Sequence, residues 1–175
     1  ASVDQSMEKA VTDQLTGLRN RRYMESQLKA LLDRSKRGGL PTSVLIADID
    51  HFKRVNDLFG HDAGDDVIRQ FSERLASNFR PRDLACRFGG EEFVVIMPET
   101  SPEDAMAIAE RLRQSISSAP FFIGRSRDQL DVTCSVGVAV GNQTSDTPDM
   151  VIKRADQALY SAKQCGRNRV MAQAA

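Results

Sequence analysis

The chain has 175 residues, enough for one domain with a single substantial core. Its 24 basic and 24 acidic residues cancel, so no broad basic surface speaks for DNA or RNA, and any phosphate binding must come from locally placed groups. No apolar stretch approaches membrane-spanning length, and residues 1–10 are too polar for a signal peptide.

Cys86, Cys134 and Cys165 are far apart and form no CxxC pair, which suits a reducing cytoplasm and three packing residues rather than a disulfide framework. Residues 1–12 have a helical look and no initiator Met, so they read as the end of a linker or signalling helix, with residues 13–175 as the domain proper.

Residues 20–37 place Met24, Leu28, Leu31 and Leu32 at helical spacing and stop at Gly38-Gly39 before Pro41. Residues 42–50 are a near-continuous apolar run, expected to be a central strand covered on both faces. A short helix follows to Phe59, then a turn at Gly60 and Gly64, then a helix over about 65–78 with Val67, Ile68, Phe71 and Leu75 on one face. Residues 84–88 and 93–97 read as hairpin arms. Ser101-Pro102 opens a capped helix to about Ser117. Residues 129–140 are rich in β-branched side chains and read as one strand, preceded by another near 121–125. Thr147-Pro148 opens the last helix, Gly166 ends it, and residues 170–171 form a final short strand. This alternation predicts an α/β sandwich (an α+β arrangement), with a central mostly antiparallel sheet flanked by helices.

Two places in this frame carry chemistry. The hairpin turn Gly89-Gly90-Glu91-Glu92 combines bare backbone with paired carboxylates, a combination suited to divalent metal and the phosphates it carries. A glycine turn with two solvated acids would explain it as well on its own. The strand before it ends in Asp48 and Asp50, which share a face by alternation. Asp50 could cap the following helix. Asp48 could not, and a carboxylate inside an apolar strand is costly unless a cation pairs with it.

In order along the chain stand Asp13-Gln14-Leu15-Thr16-Gly17-Leu18-Arg19-Asn20, Asp48-Ile49-Asp50-His51-Phe52-Lys53, Phe59-Gly60-His61-Asp62-Ala63-Gly64-Asp65, Gly89-Gly90-Glu91-Glu92-Phe93, Ser135-Val136-Gly137 and Ala155-Asp156 to Asn168. This series resembles the GGDEF family of diguanylate cyclases over about residues 13–170. Glu91, where the family name has Asp, keeps the same ligand chemistry. The resemblance implies a βααββαβ core similar to nucleotidyl cyclases and polymerase palms. It also implies condensation of two GTP into cyclic di-GMP with release of two pyrophosphates.

Carried over residue by residue, the resemblance implies two Mg²⁺ (or Mn²⁺) ions per active site, held by Asp48, the Ile49 carbonyl, Glu91 and Glu92. Glu92 would also support the metal site or activation of the attacking hydroxyl. Gly89, Gly90, the Phe52-Lys53 backbone and the Lys53 side chain would face phosphates. Lys163 and Arg167 would meet the β- and γ-phosphates, and Asn56 and Asp65 would read guanine. A helix-dipole contact would account for the two cations equally simply, and a favoured first-turn acid for Asp65. Arg80-Pro81-Arg82-Asp83 matches the family's product-inhibition motif RxxD, with Arg111 and Arg34 as further arginines for cyclic di-GMP. A plain surface Arg80–Asp83 pair is the simpler alternative. The two-fold product implies a homodimer, and the family pattern an upstream regulatory domain. A non-catalytic receptor for cyclic di-GMP or GTP, or a nucleotidyl transferase for another substrate, are the competing readings.

Overall fold

Seven consecutive residues, Ser43–Ile49, are all buried, and the rest of the molecule is laid down on both sides of them. The computed structural model describes residues 7, 8, 10–141 and 146–173. In chain order its elements are β1 (Arg19–Asn20), α1 (Arg21–Ser35), β2 (Ser43–Ile49), α2 (Phe52–Phe59), α3 (His61–Ser77), β3 (Leu84–Gly89), β4 (Glu92–Met97), α4 (Pro102–Ser117), β5 (Phe121–Ile123), β6 (Asp128–Leu130), β7 (Cys134–Val140), α5 (Pro148–Gln164) and β8 (Val170–Gln173). Of the expected linker helix, residues 7, 8, 10 and 11 are helical, while 1–6 and 9 lie outside the described residues.

The main sheet runs β1-β3-β4-β2-β7-β8, with β5 and β6 as a separate hairpin. Only β1·β3 and β7·β8 are parallel, so the sheet is mostly antiparallel, as expected. Alternation along β2 sends Leu45, Ala47 and Ile49 to a core built with α2, α3 and α4, where Phe71 meets Phe93 at 4.8 Å between ring centres. Val44 and Ile46 go to the other face, under α1 and α5, with Met24, Leu28, Val151 and Leu159. Asp48 shares that second face by parity.

Helix ends follow the local sequence. Asn20, Ser101 and Thr147 each accept a backbone N–H from the residue three positions on, capping α1, α4 and α5. Among the described residues no helix is long and apolar enough to cross a membrane.

Several expectations are corrected. The helix expected from residue 65 begins at His61, and Gly64 is buried inside it rather than in a turn. Asp65 is therefore not in the first turn, whose acid is Asp62. The single strand expected over 129–140 is two, because Thr133 leaves the small hairpin and accepts the Asp50 N–H at 2.9 Å on entering the main sheet. In the hairpin turn only Gly90 needs positive φ (51°), while Gly89 is the last residue of β3, opposite Glu92. Cys86 and Cys134 are buried, their thiols pushed up by burial, but Cys165 is exposed and not a packing residue.

Gly137 fixes how closely α5 lies on the sheet. A Cβ there would stand 2.2 Å from the Ala155 carbonyl oxygen and 2.3 Å from the Leu159 nitrogen, both rigid helix backbone. Gly137→Ala is expected to lift α5 from β7 and lower stability by about 3 kcal/mol, the upper end for overpacking a core. A urea midpoint equal to that of the parent would refute this account of the contact.

Candidate active site

Strand β2 ends between two neighbours, and its last acid is placed by register. Asp48 lies opposite Glu92 on β4 and Ser135 on β7. The Ile49 N–H donates to the Glu91 carbonyl oxygen at 3.3 Å, which lays the hairpin turn beside the end of β2. Asp48, Glu91 and Glu92 therefore gather at one end of the sheet, two on adjoining strands and one in the turn that leads from β3 into β4.

Asp48 is 4% exposed, and its carboxylate accepts a hydrogen bond from Lys163 Nζ of α5. Burial pushes its pKa up to about 6, against the pull of Lys163, and the negative charges of Glu91 and Asp50 add to the rise. The Glu92 carboxyl is likewise raised, first by burial and then by Asp48 and Asp156. For Lys163, burial works against the charge, but the hydrogen bond and charge of Asp48 and the charges of Glu92 and Glu91 hold its pKa above the ordinary value. Three carboxylates against one ammonium leave negative charge in a half-dry place. Among the described residues no three His, Cys, Asp or Glu side chains converge tightly enough to hold a metal ion by themselves. The donor set nonetheless fits a hard divalent cation. It consists of carboxylate and carbonyl oxygens, and its most buried acid already takes a cation as partner.

The turn itself is braced by residues whose part the sequence reading did not identify. Arg87 of β3 donates to the Gly90 carbonyl oxygen from Nε (3.0 Å) and Nη2 (2.8 Å), and to Asp13 Oδ1 at 3.3 Å. Asp13 in turn accepts the N–H (3.0 Å) and hydroxyl (2.7 Å) of Thr16. The signal in the sequence was an arginine just before Phe88-Gly89-Gly90, paired with an acid at the head of the first motif. Among the described residues, and leaving aside the adjoining ones in the chain, no atom lies within 4 Å of where a Cβ on Gly89 or Gly90 would stand, so the backbone there is open to a ligand.

Across the α2–α3 corner Asn56 packs against Gly64, the residue before Asp65. Gly64 makes this possible, since a Cβ on it would stand 1.9 Å from Asn56 Oδ1 and 3.2 Å from Phe52 Cζ. Phe52 is buried, Asn56 and Asp65 are half-buried, and Lys53 is exposed. Helix α2 starts after His51 in a left-handed conformation (φ 57°) with no side-chain cap. Asp50 is thus not a cap. Its carboxylate instead accepts from Thr133 Oγ1 (2.7 Å), Ser135 Oγ (2.7 Å) and the Asn168 N–H (3.0 Å). Arg167, just beyond α5, is exposed.

Arg80 and Asp83 stand at the far end of β3, about 20 Å from the turn at strand rise over its six residues. Arg80 grips Asp83 with two bonds, Nε to Oδ2 (2.9 Å) and Nη2 to Oδ1 (2.8 Å), and the Asp83 side chain is fully buried, so this is not a surface pair. The same guanidinium donates to Thr100 Oγ1 at 2.6 Å, and the Thr100 carbonyl accepts from Ser43 Oγ at 2.8 Å, at the start of β2. Arg111 donates to the Asn78 carbonyl nearby. Arg34 lies at the C-terminal end of α1, in a cleft shared with Arg82, Asp83 and Glu99.

A family model described as "Diguanylate cyclase, GGDEF domain" matches residues 10–169. Response regulator PleD of Caulobacter vibrioides is 55% identical over 174 residues, 99% of this chain and 38% of that protein. Diguanylate cyclase DgcP of Pseudomonas aeruginosa is 43% identical over 170 residues, 96% of this chain and 25% of DgcP. Among solved structures, the coiled coil and GGDEF domain of DgcB from Caulobacter crescentus, in complex with c-di-GMP, superposes with a TM-score of 0.92 at 33% identity, covering 98% of this chain and 90% of that one. The active GGEEF domain of a diguanylate cyclase from Vibrio cholerae gives 0.81 at 35%, covering 91% and 98%. The chain spans well under half the length of PleD or DgcP. With a match over nearly its whole length and its acids gathered at the end of β2, this chain belongs to the GGDEF domain family of diguanylate cyclases.

Proposed function

We propose that this chain joins two GTP molecules into cyclic di-GMP. In each half-reaction a ribose 3′-oxygen attacks an α-phosphorus. The new P–O bond replaces the bond to pyrophosphate, and the hydroxyl proton leaves to base or water. The observation that carries this reading is the buried Asp48 set opposite Glu92 and beside the Glu91 turn. Asp48, the Ile49 carbonyl, Glu91 and Glu92 would hold Mg²⁺ or Mn²⁺, two ions per site. Bound there, the ions supply neutralisation of charge on the phosphate oxygens.

The chain's own groups do the rest. The open backbone at Gly89 and Gly90 admits a phosphate close to the turn that Arg87 braces. The uncapped start of α2 leaves the Phe52 and Lys53 amides facing the same end. Lys53, Lys163 and Arg167 supply positive charge for the β- and γ-phosphates. Asp65 accepts from the N1–H and N2–H₂ of guanine, and Asn56 binds its polar edge, a pattern adenine does not satisfy. One such domain holds one GTP, so a two-fold homodimer is the catalytic unit. Cyclic di-GMP bound at Arg80, Asp83 and Arg111, with Arg34 as a further contact, inhibits by holding the two half-sites apart. An upstream regulatory domain would set how often they meet.

Glu91→Gln and Glu92→Gln are each expected to keep the fold and to cut cyclic di-GMP formation from GTP and Mg²⁺ by at least about a hundredfold, because a neutral amide is a poor ligand for a hard cation. Product measured by mass at the parental rate in either variant would end the assignment. Gly64→Ala is expected to push Asn56 aside with modest loss of stability, since the severe clash is with the far end of that side chain while the Phe52 ring, at 3.2 Å, has to give only slightly. The KM for GTP would rise about tenfold, the worth of a strong hydrogen bond. An unchanged KM would remove Asn56 from guanine recognition. Arg111→Ala tests inhibition without stranding the buried Asp83, as Arg80→Ala would. Product inhibition should weaken while synthesis continues, and inhibition as strong as in the parent would refute the site.

A further inference from the structure

We infer that Asp50 is a positioning residue for the phosphate end of the bound nucleotide. By tying the backbone after α5 to the end of β2, it sets where Lys163 and Arg167 stand relative to Asp48. The inference rests on the reading above that these cations meet the β- and γ-phosphates.

Asp50 is 8% exposed and its carboxylate takes three hydrogen bonds, from two hydroxyls and one main-chain amide. The hydroxyls of Thr133 and Ser135 would be satisfied by any neutral acceptor. An ionisable acid is a costly choice for a buried position unless something requires a strong, fixed acceptor. The third donor supplies the reason. Asn168 and the residue before it are consecutive non-glycine residues in the left-handed region, with φ of 45° and 64°. Such conformations persist only where the surroundings over-determine them, and they cluster at ligand clamps.

Hydrogen bonds fix this short loop from several sides. The Arg167 N–H donates to the Ala162 carbonyl (3.0 Å), Arg169 Nε donates to the Arg167 carbonyl (3.0 Å), and Arg113 Nη1 donates to Asn168 Oδ1 (2.8 Å). The first two are local to α5 and the loop, and the third comes from α4. The Val136 N–H of β7 donates to the Arg169 carbonyl (2.9 Å), and the bond from the Asn168 N–H to Asp50 joins the loop directly to the end of β2, the strand that carries Asp48. The cationic clamp and the acid cluster are thereby referenced to one rigid corner, two residues from Asp48.

The test measures equilibrium binding of 3′-deoxy-GTP, which lacks the attacking hydroxyl, and of GMP, both with Mg²⁺. The parent should bind the triphosphate more tightly. Asp50→Asn should weaken 3′-deoxy-GTP about tenfold, the loss of one hydrogen bond to a charged group, and GMP far less. In turnover with GTP, KM should rise more than kcat falls. Asn168→Val, which cannot relax at positive φ, should lose more triphosphate affinity than Asn168→Gly, which can. This ordering keeps the test open if Asp50→Asn folds poorly. Full retention of the triphosphate preference in Asp50→Asn, or equal affinities in the two Asn168 variants, overturns the inference. A parent that binds both nucleotides alike overturns the phosphate reading beneath it.

Discussion

The structure depends on a carboxylate buried where an apolar side chain would be cheaper. Asp48 stands in a strand whose every residue is covered, and its charge is opposed by burial and offset by Lys163. Such an acid weakens the fold unless a cation answers it, and here a residue of the helix packed on the same face of the sheet does so. In the function proposed above, a metal-bound phosphate would compete with Asp48 for this ammonium. Lys163 would then answer two partners at one place, the acid and the substrate. That gives the site a reason to keep a lysine at the end of α5 rather than a packed apolar residue.

Register carries this chemistry as strictly as it carries the core. Shifting β2 by one residue would turn Leu45, Ala47 and Ile49 away from the aromatic core and turn Asp48 into it. Because β4 and β7 both pair with β2 along nearly its full length, each neighbour independently fixes that choice. Precision at the site follows from having two ladders rather than one. The Arg80–Asp83 pair uses the same rigidity from the other end, where Arg80, Thr100 and Ser43 connect the buried Asp83 to the start of β2.

The parts legible in the sequence were those with strong local chemistry. The apolar run around Val44 to Ala47 declared a central strand, Ser101-Pro102 and Thr147-Pro148 declared helix starts, and the glycine pair followed by two glutamates declared a charged turn. What stayed hidden depends on distant partners. Nothing local tells that Arg19–Asn20 pairs with β3, since two residues carry no period. Gly64 looked like a turn glycine because its reason, room for Asn56, lies on another helix. Asp50 looked like a helix cap because the hydroxyls it serves are more than eighty positions away. Arg87 passed as a strand residue because its role is to reach backward to Asp13 and forward to Gly90.

The two margins of the main sheet are short. One is β1, two residues long and already bridged on that side by Thr12, and the other is β8, four residues long and half exposed. Unpaired strand edges invite other chains to add on, and short or covered ones do not. Two copies of this domain therefore have little backbone with which to continue one another's sheets. The homodimer proposed above would therefore rest on side chains of helices and turns, a more adjustable kind of contact, suited to a pairing that forms and comes apart.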